Sequence, residues 1–182
     1  MQIIDLALPD LKLVQLKVHG DGRGFFMETY KKEDWRPILG DRSFTQDNQS
    51  LSVRAGTVRG LHYQMPPFAQ AKLVQTLRGR ILDVAVDLRR NSPTFGRHVA
   101  LELGAGDGKQ MFVPEGFAHG FMTLEPDSMV AYKVTNRYEP ESERGLAWDD
   151  PDLAIAWPTS AEVELSPRDR QWPRFKDLTD LF

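Results

Sequence analysis

The sequence has no cysteine. Disulfides, thiolate nucleophiles and thiolate-bound zinc are therefore excluded, and a reducing compartment is comfortable. Positive charge is not in excess either. The formal net charge at pH 7 is −3, which gives no reason to expect nucleic acid or an acidic membrane as a partner. No apolar run approaches the length needed to cross a bilayer. The opening segment Met1–Asp10 has no basic stretch followed by an apolar one, so a signal peptide is not expected and cytoplasmic residence is. Internal repeats, linkers and low-complexity tracts are missing as well. What is left is 182 residues with 41% hydrophobic and 27% charged side chains. That is ordinary globular composition at a size that buries its own core, so one domain over residues 1–182 is expected.

The hydrophobic pattern is mostly of period two. Leu11–Val18, Phe25–Tyr30, Phe44–Val53, His98–Leu103, Gln110–Val113, Gly116–Leu124 and Ser128–Val134 read as strands. His19–Gly24 and Gly104–Gly108 read as turns, the latter lacking the Lys-Ser/Thr pair of a phosphate loop. Leu73–Leu77 and Ile81–Leu88, separated by Arg78-Gly79-Arg80, look like a hairpin, with Leu82, Val84, Val86 and Leu88 on one face and Asp83 and Asp87 on the other. Lys31–Leu39 suits one short helix limited by Pro37, and Leu165-Ser-Pro-Arg-Asp169 opens a late one. Many short strands with few helices predict an all-β jelly-roll barrel or sandwich with small helical additions.

The central stretch is Thr57–Lys72, which places Arg59, His62 and Lys72 around Gly60 and the stiff pair Pro66-Pro67, so that two strands are joined by a proline turn. A His and two cations on the inner face of a β-structure suit a site that binds anions and moves protons; a core His with two solvated cations is the bland alternative. Two segments resemble the paired motifs of the cupin superfamily, Gly56–Gln64 and Gly108–His119. Gln64 stands where metal-binding cupins carry a second His, and Phe68-Ala-Gln-Ala71 lacks the expected carboxylate. His62 and His119 alone make a poor metal site, and Lys72 nearby repels a dication. A metal-free barrel is expected.

Longer strings carry a closer resemblance. Gly22-Arg-Gly-Phe-Phe26, Gln46-Asp-Asn48, Arg59–Gln64, Gln70-Ala-Lys72, Ser92–Gly96, Pro114–Phe121, Glu143-Arg-Gly145, Trp148–Pro151 and Leu165–Asp169 resemble, in order, the dTDP-4-dehydrorhamnose 3,5-epimerase family. The resemblance implies a cofactor-free jelly-roll homodimer acting on a dTDP-linked 4-keto-6-deoxy sugar. It assigns His62 as base, Asp169 as the carboxylate orienting it, Tyr132 as acid on the opposite face, and Lys72 as the charge beside the keto oxygen. It implies that Arg59 and Arg23 clamp the diphosphate and that Glu28, Gln46, Asn48, Glu143 and His119 contact substrate, with Tyr138 or Phe26 stacking on the base. Arg168 departs from the family's usual Lys and need not reproduce its geometry.

Two points remain open on the residues alone. Ser166-Pro-Arg-Asp169 also reads as a helix cap with an acid at its third position. Arg59 and His62, three apart, fall on opposite faces of a regular strand, so both reach one cavity only if Gly60 allows a bulge. The same base and acid also serve a relative that inverts a single carbon, and a non-catalytic sugar-nucleotide-binding cupin is a further alternative.

Overall fold

The structure is a computed structural model that describes residues 1–158 and 162–182. Among the described residues, thirteen strands and one α-helix follow in chain order. They are β1 (Gln2–Asp5), β2 (Lys12–Gln15), β3 (His19–Asp21), β4 (Gly24–Phe26), α1 (Lys32–Leu39), β5 (Gln46–Ser52), β6 (Val58–Gln64), β7 (Lys72–Arg78), β8 (Arg80–Asp87), β9 (His98–Gly104), β10 (Lys109–Val113), β11 (Phe117–Thr123), β12 (Ser128–Val134) and β13 (Glu143–Gly145). Single 3-10 turns occur at Asp169–Gln171 and Phe175–Asp177. The strands form two antiparallel sheets in the orders β1-β2-β10-β7-β12-β5 and β13-β6-β11-β8-β9, with β3-β4 a separate ribbon. This is the jelly-roll arrangement that the strand pattern predicts.

Three apolar layers hold it together. Between the sheets lie Leu11, Val74, Ile81, Ala85, Leu103, Met111, Phe121 and Val130. The outer face of the five-stranded sheet carries Val58, Leu61, Tyr63, Val84, Val86, Leu88 and Met122, covered by the C-terminal segment through Leu153, Trp157, Phe175 and Phe182. The outer face of the six-stranded sheet packs Val14, Leu73 and Phe112 against Trp35 and Leu39 of α1. Each such side chain contributes roughly 1.5–3 kcal/mol by leaving water. Because both faces of the five-stranded sheet are covered, the alternation in β8 does not separate inside from outside. Asp83 and Asp87 are fully buried, like the valines between them.

Several expectations are corrected. The hairpin across Arg78-Gly79-Arg80 does not form, because β7 and β8 belong to different sheets. Gly79 has φ +74°, and a Cβ there would run into Ser128. This tight corner carries the chain from one sheet to the other instead of folding it back. His19–Gly24 is part of a ribbon rather than a plain turn, and strand character ends at Phe26 instead of running to Tyr30. The strand expected over Leu11–Val18 is confined to Lys12–Gln15. Pro37 lies inside α1, which continues to Leu39 and closes with the Gly40 N–H on the Arg36 carbonyl at 2.9 Å. Pro37 is the sixth of eight residues, so it forfeits the one bond that an N–H there would make to the Glu33 carbonyl, and the helix ends two residues later. The late helix start at Leu165–Asp169 yields only a 3-10 turn. Its cap is nevertheless present, since the Asp169 N–H donates to Ser166 Oγ at 3.0 Å.

Candidate active site

β6 and β11 build one wall of a cavity. Along β11 the pairing advances two residues, from His119 opposite His62 to Phe121 opposite Arg59, while β6 advances three. The extra residue is a bulge at Gly60-Leu61. Gly60 has φ +119°, and a Cβ there would sit 2.8 Å from both Gly120 Cα and the His119 carbonyl, so only glycine fits. Val58, Leu61 and Tyr63 consequently all join the outer core, while Arg59 and His62 both line the cavity. The opposite wall comes from β5, β7 and β12 through Ser50, Lys72 and Tyr132. The cavity holds about 260 Å³, and its remaining lining is His119, Phe121, Glu143, Ser166, Arg168 and Asp169.

Two His–carboxylate pairs stand in this cavity. His62 Nε2 lies 2.6 Å from Asp169 Oδ1, which also accepts from Trp172 Nε1 at 3.1 Å. Burial works against ionisation of Asp169, but the hydrogen bond and charge of His62, with Trp172 and Ser166, hold its carboxyl below the usual range. Asp169 is therefore the acceptor, and the His62 ring donates to it through Nε2. Behind it, His119 Nε2 lies 2.8 Å from Asp83 Oδ1, both side chains being buried. Burial pushes the His119 imidazole down, with Asp83 opposing and the charges of Lys72 and His62 adding to the fall.

The other wall carries a proton donor and a cation. Burial raises the Tyr132 phenol above its ordinary range, against the charge of Arg59 and with that of Glu143, so it keeps its proton at neutral pH. Burial lowers Lys72 to about 8, although Asp83 and Glu143 favour its charged form. Its Nζ donates to the His62 carbonyl at 3.2 Å, bridging the two sheets. At the rim, Arg59 donates to Ser52 Oγ and the Leu51 carbonyl, each at 3.0 Å. Tyr138 donates to Glu143 at 2.6 Å, and Arg168 forms an ion pair with the same carboxylate.

Most of the residues expected at the site are thus together. His62, Lys72, Tyr132, Asp169, Arg59, His119, Glu143 and Arg168 line the cavity, and Gln46, Asn48 and Tyr138 line an adjoining pocket that shares His62, Lys72, Tyr132 and Glu143. Arg23, Phe26 and Glu28 are not part of it. They lie on or just after the β3–β4 ribbon, which pairs only with itself; Arg23 is held by Asp21 at 2.5 Å, and Phe26 is 70% exposed. Asp83 and Trp172 were not anticipated. An acid in the middle of an apolar strand was the available signal for Asp83, whereas nothing local marked Trp172.

Gln64, at the position of a metal-binding His in other cupins, is fully engaged elsewhere. Its Nε2 donates to the Phe68 and Arg137 carbonyls at 2.6 and 3.1 Å, and its Oε1 accepts from the Glu139 N–H at 2.8 Å. Among the described residues, no three His, Cys, Asp or Glu side chains converge as a ligand set. No helix of the described residues is long and apolar enough to cross a membrane.

Comparison with known proteins agrees with this geometry. The family model for dTDP-4-dehydrorhamnose 3,5-epimerase matches residues 5–177. The enzyme of that name from Sinorhizobium fredii is 47% identical over 182 residues, covering 100% of this chain and 93% of the relative. The solved dTDP-6-deoxy-D-glucose-3,5-epimerase from Legionella pneumophila, in complex with dTDP-4-keto-L-rhamnose, is 45% identical with a TM-score of 0.88, covering 93% of this chain and 89% of that one. A 3'-monoepimerase from Streptomyces bikiniensis in complex with dTDP-quinovose is 34% identical with a TM-score of 0.87, covering 93% and 85%. With its jelly roll, its cavity and its motifs in the same order, this chain belongs to the dTDP-4-dehydrorhamnose 3,5-epimerase family.

Proposed function

We propose that this chain inverts C3 and C5 of dTDP-4-dehydro-6-deoxyglucose to give dTDP-4-dehydro-L-rhamnose, in the cytoplasm and without metal or cofactor. The observation that carries this reading is the placement of His62 and Tyr132 on opposing sheets across one cavity that Lys72 also lines. Epimerisation beside a ketone needs a base on one face of the ring and an acid on the other. His62 takes the proton from the carbon next to C4, and the electron pair moves into the C4 oxygen as an enolate. Imidazole is a weak base for this task, since each unit of pKa mismatch costs about 1.36 kcal/mol. The Lys72 ammonium at the developing oxyanion offsets that mismatch, and Asp169 stabilises the imidazolium that forms. The Tyr132 hydroxyl then returns a proton to the opposite face, and both groups reset with solvent.

Binding follows the same map. Arg59 at the rim suits the diphosphate through its planar fork, while Gln46, Asn48 and Tyr138 extend the site towards the nucleoside. Arg23, Phe26 and Glu28 reach a nucleotide only across a homodimer, in which one copy's β3–β4 ribbon completes the other's cavity. Exposure of Val18, Phe25 and Phe26 on and beside this ribbon supports that role. Inversion of one carbon only is the second reading, favoured by the likeness to a 3'-monoepimerase. Incubation with dTDP-4-keto-6-deoxyglucose in deuterium oxide, followed at C3 and C5 by proton NMR, separates the two. Exchange and inversion at both carbons, lost in His62→Ala, is the expected result. Inversion at one carbon selects the second reading, and tight binding without exchange refutes the enzyme.

A further inference from the structure

Trp172 stands outside the cavity lining, yet it touches both members of the dyad. Its Nε1–H donates to Asp169 Oδ1, the same oxygen that lies against His62 Nε2. Its ring stands edge-on to the His62 ring, at 72° with centroids 5.9 Å apart. Its other contacts are Gly145, where an added Cβ would fall inside the indole, and the Arg168 guanidinium, 5.2 Å over the ring. Gly145 pairs directly with His62 across β13 and β6. The seat for the indole is therefore built by the strand neighbour of the base itself.

We propose that Trp172 is a positioning residue for the His62–Asp169 pair, its indole N–H fixing the Asp169 oxygen that orients the base. The proposal rests on the reading of His62 as base, but its physical core does not. A carboxylate oxygen shared by two donors is held in direction, because releasing His62 to rotate would require Asp169 to leave the indole as well. The N–H also stabilises the charged carboxylate, so it moderates how strongly Asp169 draws on the imidazole proton. Arg168, the departure from the family's Lys, lies over the same ring. A guanidinium suits an aromatic face better than an ammonium, so Arg168 and Trp172 form one assembly behind the dyad.

Trp172→Phe tests this by keeping a ring and deleting the donor. The activity-independent measurement is a carbon-13 NMR titration of the Asp169 side-chain carboxyl. Its midpoint is expected to rise in the variant by about half a pH unit or more, because a hydrogen bond to the charged form has been lost. The other charged groups around Asp169 stay in place: His62 and Arg59 on β6, Lys72 on β7, Glu143 on β13, and Arg168 and Glu164 on its own segment. In steady-state kinetics kcat should fall about three- to tenfold with KM unchanged, since Trp172 does not line the cavity. Gly145→Ala, whose methyl displaces the indole, should reproduce both effects. An unchanged Asp169 midpoint in both variants overturns the proposal, as does a loss of kcat matched by a rise in KM. If the wild-type protein proves inactive on the sugar nucleotide, the titration still decides the structural claim, and the failure then belongs to the epimerase reading.

Discussion

Asp169→Asn isolates the charge of the dyad from its geometry. Both donors at this carboxylate, His62 Nε2 and Trp172 Nε1, address Oδ1. An amide oxygen placed there can accept both hydrogen bonds, so the substitution removes the negative charge and little else. Hydrogen bonds to charged groups contribute about 1.5–3 kcal/mol and neutral ones about 0.5–1.5 kcal/mol. The difference, about 1–2 kcal/mol, is felt mainly when His62 becomes an imidazolium. At about 1.36 kcal/mol per tenfold in rate, kcat should fall roughly 5- to 30-fold. Asp169→Ala removes the charge and both bonds, and leaves the half-buried indole N–H without its acceptor. It should lose well over an order of magnitude more. The assay is deuterium wash-in to dTDP-4-keto-6-deoxyglucose under saturating substrate, which reads proton abstraction without waiting for product release. KM should stay within about twofold. If Asp169→Asn retains full wash-in rate, the carboxylate does not stabilise the imidazolium and the reasoning fails. If it falls as far as Asp169→Ala, geometry and not charge is what Asp169 supplies.

Tyr132→Phe should keep exchange at the substrate carbons, slowed, while abolishing inversion, because His62 can remove and return a proton on its own face but nothing delivers one to the other. Measuring deuterium content and product stereochemistry in one NMR experiment checks this. Lys72→Met should cut kcat at least about a hundredfold, since it deletes the cation at the enolate oxygen, and should at the same time stabilise the fold. Folded Lys72 titrates at about 8, against an ordinary 10.5. The unfolded chain thus binds the extra proton between those values, wild-type stability from this group rises with pH across that window, and the penalty is fully present below about 8. Urea unfolding at pH 7 should show Lys72→Met more stable by about 1–3 kcal/mol, a gain that shrinks as pH rises from about 8 and is gone above 10.5, and wild-type activity should decline as pH passes about 8. Asp87, fully buried, is the opposite case. Burial opposes its charge, but Arg89, Ser92 and Thr94 hold its carboxyl down to about 2. Its stabilisation, about 2 kcal/mol, is present above pH 4 and is lost as pH falls towards 2. Asp87→Asn should therefore be strongly destabilised at pH 7, and its deficit in urea unfolding should narrow near pH 2.

How far the fold was legible depended on whether a signal was local. Strand alternation in Ser128–Val134 or Phe44–Val53 needs only the segment itself, and those strands are where the pattern places them. Which strands pair is decided elsewhere. Arg78-Gly79-Arg80 looks like a hairpin loop, but the exclusion of any Cβ by Ser128, nearly fifty residues away, makes it a corner between sheets. The burial of Asp83 likewise depends on distant chain: it shares the inner face of β8 with Ile81 and Ala85 and meets His119 between the sheets, while the C-terminal segment covers the valines on the other face. The pattern shows two faces of β8, and it cannot show that neither meets water.

The site divides along the same line. Whether Arg59 and His62 share a cavity was a question of strand register, and glycine at position 60 was a sufficient clue, because only a bulge there turns both side chains inward. The Ser166 cap and the His62 contact are two compatible readings of Asp169, and the structure contains both. The backbone N–H of Asp169 is capped while its side chain faces the imidazole. A short turn is enough for that purpose, since it fixes the backbone direction from which the carboxylate projects. Arg23, Phe26 and Glu28 mark the boundary of what one chain encodes by itself. They sit on a ribbon held to the body by little beyond its own pairing, with aromatic side chains exposed. If a second copy is what they address, their position within a single chain carries no information about the site they serve. Deleting the ribbon, residues 19–26, should then raise KM for the sugar nucleotide and weaken self-association together, as measured by kinetics and analytical ultracentrifugation. Loss of binding in a variant that still self-associates normally would show instead that the ribbon serves its own chain's cavity.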